Sequence, residues 1–264
     1  MSSRDPASVA KLSIDLNLDA GEDLLGIAEG NGECLLYPLV SSLNIACGGH
    51  VGDAASIRKV LRFVRALSEQ SLINFALGAH PSFPDRENFG RIKMTLPFSE
   101  LKTALQQQLD LIQKVFSSEG QKLTHIKPHG ALYNLAAQDA EWAEFLMDCL
   151  APYELPIVVL QNSVIHKSCL KQNIACLGEA FVDRAYTENG FLKPRSEVGA
   201  LILDPTLAAL QALKLAKTAD TLCIHSDTKG AFALAQAVRT GLICEGYQIL
   251  PSHALKSCTP IIVP

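Results

Sequence analysis

The 264-residue chain is 48% hydrophobic and 19% charged, with a formal net charge of −4, the balance of a compact enzyme with a sizeable core. It has no lysine- or arginine-rich run dense enough to neutralise successive phosphates, so nucleic acid is excluded as the expected partner. No run of about 18 apolar residues occurs, and the opening MSSRDPASVA lacks the apolar region of a secretory signal. A membrane protein is therefore not expected, and the expected compartment is the cytoplasm. The eight cysteines form no C-x-x-C pair, which argues against a zinc ribbon or a thioredoxin motif and for buried thiols.

Taken in chain order, residues 1–10 read as a flexible leader and 11–264 as one domain. A strand is predicted at KLSIDLN (11–17), and after a long connection a second at VSSLNIA (40–46). Residues 53–68 follow with helical period, Ile57, Val60, Leu61, Val64 and Leu67 recurring three and four apart. NFALGAH (74–80) is the third strand, and a helix is predicted over 99–118 after a second long connection. Strands follow at LTHIK (123–127), PIVVLQ (156–161) and IACLGEAF (174–181), then a third long connection at 182–198. A helix over 206–217 opens with Asp204 as cap and Pro205 in its first turn. The strand DTLCIHS (220–226) and a helix over 229–244 complete the series. Strands alternating with helices, undivided by linker or repeat, predict a parallel β/α barrel of seven strands.

Each predicted strand ends in polar side chains that a core does not need. They are Asp15 and Asn17; Asn44 and His50; His80; Lys127 and His129; Gln161; Glu179 and Asp183; His225 and Asp227. In closed parallel barrels the loops at the carboxyl ends of the strands converge on the active site. The period of two puts Asp15 with Asn17, and His125 with Lys127, on one face. A single strand-end histidine is more often structural than catalytic, Asp53 reads as a helix cap, and Cys47 and Cys223 read as core thiols. Lys127 resists such a reading, because a lysine at the end of a buried strand costs several kcal/mol unless it is paired. The stretch GNGECL (30–35) lacks the third glycine of a dinucleotide fingerprint and follows no strand, and no phosphate-binding G-x-x-x-x-G-K-[ST] occurs.

The segments DLNLDAGED (15–23), NIACGGHVGD (44–53), GAHPSFPDRENFGR (78–91), KPHGALYN (127–134), EAFVDRAYTENGFLKPR (179–195) and CIHSD (223–227) resemble, in order, the successive motifs of the LamB/YcsF family. The resemblance implies a seven-stranded β/α barrel similar to the glycoside hydrolase and polysaccharide deacetylase barrels. It also implies ATP-dependent hydrolysis of 5-oxo-L-proline to L-glutamate, with Mg2+ and two further 5-oxoprolinase subunits, B and C. A homo-oligomer is compatible with it.

Carried over residue by residue, the resemblance makes Asp15, His50, His80, Lys127 and His129 the candidate catalytic residues. Asp15 would be general base or metal ligand, beside His50 and His80 as a candidate divalent-metal set, and Lys127 the phosphate or oxyanion partner. Asn17, Asn44, Arg91, Asp183, Arg184, Arg195, His225 and Asp227 are the candidate substrate-binding residues, and Asp19 completes the acidic first motif. The chain departs from the family pattern at Leu18, Ala20, Ile92 and Ser226, which bears on the choice of lactam more than on the fold. Two alternatives stand beside this reading: a stand-alone metal-dependent amide hydrolase or deacetylase, and a non-catalytic lactam-binding subunit.

Overall fold

Alternation within one strand organises the interior. In the computed structural model, which describes residues 12–71 and 74–254, strand β1 (Ser13–Ala20) directs Ile14, Leu16, Leu18 and Ala20 to one face and Asp15, Asn17 and Asp19 to the other. Both faces are buried: the apolar one joins the main hydrophobic core, and the polar one meets side chains from neighbouring strands. The expected leader at 1–10 lies outside the described residues.

Five further strands build a parallel sheet around β1: β2 (Ser42–Ala46), β3 (Ala76–His80), β4 (Ile157–Leu160), β5 (Cys176–Phe181) and β6 (Thr221–Ile224). Their order is β3-β2-β1-β6-β5-β4, and a two-residue strand β7 (Gln248–Ile249) pairs with β1 outside that path. The register sets Asn17 beside Ser42 and Cys223, and Asp15 beside Thr221.

The outer layer is helical. Its elements are α1 (Leu24–Glu29), α2 (Ala54–Ser71), α3 (Phe98–Ser118), α4 (Gly130–Gln138), α5 (Ala140–Leu150), α6 (Val164–Gln172), α7 (Pro205–Leu215) and α8 (Ala231–Cys244). The caps expected at Asp53 and Asp204 are present, each side chain accepting two backbone N–H groups. The helices α4 and α5 carry no clear signal in the sequence because they abut. Asp139 closes the first and caps the second, accepting from the backbone of Glu141 and Trp142.

The expected strand at 123–127 is corrected. Only Ile126 makes β-bridges, one to Ala79 on β3 and one to Ile157 on β4. Backbone bonds nonetheless reach both neighbours: Lys127 N–H donates to Ala79, and Val158 N–H to Ile126. The run is cut short by Pro128, which has no N–H to continue a ladder. The architecture is thus a parallel α/β sheet of six to seven strands, carried from β3 to β4 by one bridging segment. Among the described residues no helix is long and apolar enough to cross a membrane.

Asp15, expected as a base or metal ligand, lies four residues before Asp19, about 13 Å down an extended strand. Its carboxylate accepts from Ser41 Oγ (2.7 Å), Ser42 Oγ (2.6 Å) and Thr221 Oγ1. Burial raises its pKa to about 6 against the pull of these hydroxyls. The folded state therefore holds the Asp15 proton more firmly than the unfolded chain does. Its contribution to stability is complete below pH 3.8 and is lost as pH rises to about 6, to the extent of about 3 kcal/mol. Urea unfolding between pH 4 and 7 should show the stability advantage of wild type over Asp15→Asn largest at pH 4 and shrinking towards pH 7. Parallel curves would show that Asp15 does not titrate in this range.

Candidate active site

The polar face of β1 continues upward into a buried network. Thr221 Oγ1 accepts from Asn17 Nδ2 at 2.7 Å, and Asn17 Nδ2 also donates to Glu179 on β5 at 2.9 Å. Asn44 Nδ2 from β2 donates to Asn17 Oδ1 and to Asp19 Oδ1, while His125 Nε2 donates to Asn44 Oδ1 at 2.8 Å. The His125 ring occupies the space a side chain at residue 78 would need, since a Cβ on Gly78 would fall 2.3 Å from it. Burial, reinforced by the charge of Lys127, holds the His125 pKa down to about 3.

Lys127 crowns this network. Its Nζ lies 2.9 Å from Asp19 Oδ1 and 2.8 Å from Glu179 Oε1, with Asn17 Oδ1 and Cys223 Sγ each at 3.2 Å. Burial alone would depress the lysine's pKa, but the two carboxylates outweigh it and hold the pKa well above the ordinary value. An ammonium has three donors, and four acceptors already surround this one. Lys127 is thus a fixed charge in the wall of the cleft, not a free partner for a phosphate.

Beside it three histidines meet. The rings of His50 and His129 stack with centroids 3.9 Å apart, and His80 stands edge-on to both. His129 Nδ1 lies 2.9 Å from His80 Nε2, and His50 Nε2 lies 2.8 Å from Glu22 Oε1. Burial, then His80, pushes the His50 pKa down to about 2, and burial with both neighbouring rings lowers that of His129 well below its ordinary value. Burial and the charges of Asp19 and Glu33 raise the Glu22 pKa well above the carboxylate range. Phe89 reaches this cluster from the 81–98 loop. It holds a left-handed φ of 55°, uncommon for a bulky side chain, and its carbonyl accepts from His129 Nε2 at 3.0 Å.

Loops bring arginines to the same cleft, Arg91 lying over the Phe89 ring beside the histidines. Arg91 and Arg195, from separate loops, share Asp227 Oδ2. Burial pushes the Asp227 pKa up, but Arg195 and Arg91 outweigh it and hold it below the ordinary value. Arg184 donates to the Lys193 carbonyl at 2.6 Å, while its buried Nε has no hydrogen-bond partner. Asp183 is occupied otherwise, accepting from His225 Nδ1 at 2.9 Å and Thr228 Oγ1 at 2.6 Å. His225 in turn stacks on Phe181. Beside these groups lies a cleft of about 360 Å³, within the range of small-molecule sites.

The structure thus gathers His80, Lys127, His129, Arg91, Arg184, Arg195, His225 and Asp227 around one cleft. His50 stands behind His80 and His129, and Asn17 and Asn44 support the floor. Asp183 backs His225, and Asp15 lies beneath the site, apart from the histidines. Sequence reasoning missed Glu22, which takes the position by the histidines expected for Asp15, and Tyr133, which donates to Glu179 at 2.7 Å. Both stand inside the quoted motifs, Glu22 in DLNLDAGED and Tyr133 in KPHGALYN. One ligand atom from each of Glu22, His50, His80 and His129 lies within 4.8 Å of the others. Asp19, Cys223 and His225 form a second such group, but the Lys127 ammonium already serves Asp19 and Cys223.

Known proteins resemble the chain over most of its length. The sequence profile of the LamB/YcsF family matches residues 14–257. The chain is 39% identical to a Chloroflexus aggregans protein described as the A subunit of 5-oxoprolinase over 254 residues, covering 90% of this chain and 98% of that one. It is 35% identical to the protein so described from Acinetobacter baylyi, covering 90% and 97%. The crystal structure of a lactam utilization protein from Thermus thermophilus superposes with a TM-score of 0.79 at 37% identity, covering 90% of this chain and 99% of that one.

Removing the cation at the head of the network should strand two buried carboxylates. Lys127→Met should lower unfolding free energy by about 3–5 kcal/mol, and adding Glu179→Gln should restore part of that loss. A double-mutant cycle by chemical denaturation measures the coupling. Strictly additive effects would show that the ion pair carries no net interaction.

Proposed function

The chain belongs to the LamB/YcsF family, and on that premise we propose that it is the A subunit of a 5-oxoprolinase, hydrolysing 5-oxo-L-proline to L-glutamate with ATP and Mg2+ together with subunits B and C. The observation that carries this reading is a small cleft lined by two unlike sets of groups: Arg184, Lys193 and Arg195, and His80, His129 and Glu22. A 5-oxoproline molecule has two corresponding ends, a carboxylate and a lactam carbonyl. The guanidinium groups of Arg184 and Arg195, which line the cleft, can meet the carboxylate. In this reading Phe181 and Leu192, which line the cleft, would flank the ring, with the scissile carbonyl towards the histidines.

ATP, as co-substrate, supplies activation by transferring its terminal phosphoryl group to the lactam oxygen. ADP leaves, water adds to the ring carbon, the C–N bond breaks and the nitrogen takes up a proton, and a second water hydrolyses the resulting acyl phosphate to the carboxylate and free phosphate. The cationic groups of this chain orient the substrate and its histidines handle the protons of attacking water. On the same reading the sheet is a seven-stranded barrel with residues 123–127 as its fourth stave, residues 11–264 form one domain, and the protein works in the cytoplasm.

A stand-alone metal-dependent amide hydrolase is the second reading, favoured by the convergence of Glu22 with three histidines. Glutamate release from 5-oxoproline, followed with ATP and each of the three polypeptides omitted in turn, separates the two. The complete mixture should be active and every omission inactive. Arg184→Met in the complete mixture should raise KM about tenfold or more with a smaller change in kcat, because the substrate carboxylate stays bound through the reaction. Full turnover by this chain alone without nucleotide would overturn the proposal.

A further inference from the structure

The three clustered histidines have distinct hydrogen bonds on the ring nitrogens that face away from one another. His80 Nδ1 lies 2.7 Å from the Lys127 carbonyl and His129 Nε2 lies 3.0 Å from the Phe89 carbonyl. A carbonyl only accepts, so both of these nitrogens carry the ring proton. His50 Nδ1 lies 3.0 Å from Ser82 Oγ, and that hydroxyl donates its own hydrogen to the Phe83 carbonyl at 2.8 Å. His50 Nδ1 is therefore the donor there as well. The remaining nitrogens, His50 Nε2, His80 Nε2 and His129 Nδ1, turn towards one another, and His80 Nε2 also lies 3.2 Å from Asp19 Oδ2.

Those nitrogens converge on Glu22. Its Oε1 lies 2.8, 3.9 and 3.5 Å from His50 Nε2, His80 Nε2 and His129 Nδ1 respectively. His80 Nε2 and His129 Nδ1 stand 2.9 Å apart, a separation that two bare lone pairs repel. One proton relieves one such contact, so the 2.8 and 2.9 Å contacts need two protons. A single divalent ion relieves every contact at once. Ligand distances of about 2.1 Å around a tetrahedral first-row ion set ligand–ligand separations of about 3.4 Å, in the middle of the four measured here.

We infer that Glu22, His50, His80 and His129 form a binding site for a borderline first-row divalent ion, Zn2+ in the first instance. Three imidazoles and one carboxylate suit such an ion better than the all-oxygen preference of Mg2+ or Ca2+. Outer acceptors that fix each ring's tautomer are the usual companions of metal-bound histidine. The ion faces the cleft, since Glu22, His80 and His129 line it. A fifth position is thus open to water or a carbonyl oxygen, where the ion acts as a Lewis acid. The inference stands on the ring geometry and is independent of the lactam reading.

The test is calorimetric titration of the purified, chelator-treated full chain with ZnCl2, with MgCl2 and CaCl2 as controls. One Zn2+ per chain should bind at submicromolar Kd, with Mg2+ and Ca2+ at least a hundredfold weaker. Glu22→Gln and His129→Gln should each weaken Zn2+ binding tenfold to a hundredfold. Ser82→Ala, which touches no ligand atom, should weaken it less by loosening the His50 ring. Circular dichroism and melting temperature certify each variant as folded, and Co2+ substitution should give the intense visible band of a low-coordinate, nitrogen-rich site. Fewer than one ion per two chains, equal affinity for Mg2+, or unchanged Zn2+ affinity in folded Glu22→Gln and His129→Gln would overturn the assignment.

Discussion

An ammonium sealed between two carboxylates governs the interior of this protein. Lys127 is almost wholly buried, so its charge is tolerable only while Asp19 and Glu179 stay within hydrogen-bond reach. Those carboxylates carry one negative charge more than the lysine neutralises. The remaining acceptors are met by Asn17 and Tyr133 on Glu179, and by Asn44 and the His80 ring on Asp19. Each donor comes from a different strand or helix. The position of one charge is thereby written into β1, β2, β5 and α4 together, and the interior of the parallel sheet is filled there by a rigid hydrogen-bonded column instead of apolar side chains.

Much of this was legible in the sequence. Six of the seven expected strands are present, and His80, Lys127, His129, His225 and Asp227 at their ends do meet at one cleft, because alternation in a strand fixes which side chains share a face. Gln161 instead donates to the Thr218 carbonyl, away from that cleft. Alternation says nothing of depth, which is why Asp15 and Asp19 looked equivalent although one lies below the cleft and the other lines it. Glu22 escaped because it stands past the end of β1, where no period applies. Its place is set by Gly21, with a φ of 78°, and by Glu33, which gathers the backbone N–H groups of residues 21 to 23. Tyr133 escaped for a similar reason, since α4 is short and abuts α5. The 123–127 run was apolar enough to read as a strand, and only Pro128 argued against it.

The histidine cluster depends on loops more than on strands. Only His80 sits on a strand; His50 and His129 are held by the turns that follow β2 and the 124–127 segment. Phe89 and Gly90, both in the left-handed region, lay the 81–98 loop over the rings so closely that a Cβ on Gly90 would come within 3.2 Å of His50 and His129. Backbone strain of this kind persists where the surroundings over-determine it. Here the Phe89 carbonyl on His129 and the Gly90 carbonyl on the Ala131 N–H supply that determination.

The shared use of Asp227 by Arg91 and Arg195 gives the cleft a resident counterion. An incoming anion does not meet two bare guanidinium groups; it meets a pair already occupied, and must compete with a tethered carboxylate whose effective concentration is high. A weak monoanion gains little from that exchange, whereas a ligand with a second negative group can hold one arginine while Asp227 keeps the other. The mouth of the cleft therefore discriminates by valence as well as by shape. Because the guanidinium and carboxylate groups there are partly exposed, added salt should weaken the resident pair along with any visiting anion, flattening the ionic-strength dependence that two free arginines would otherwise confer.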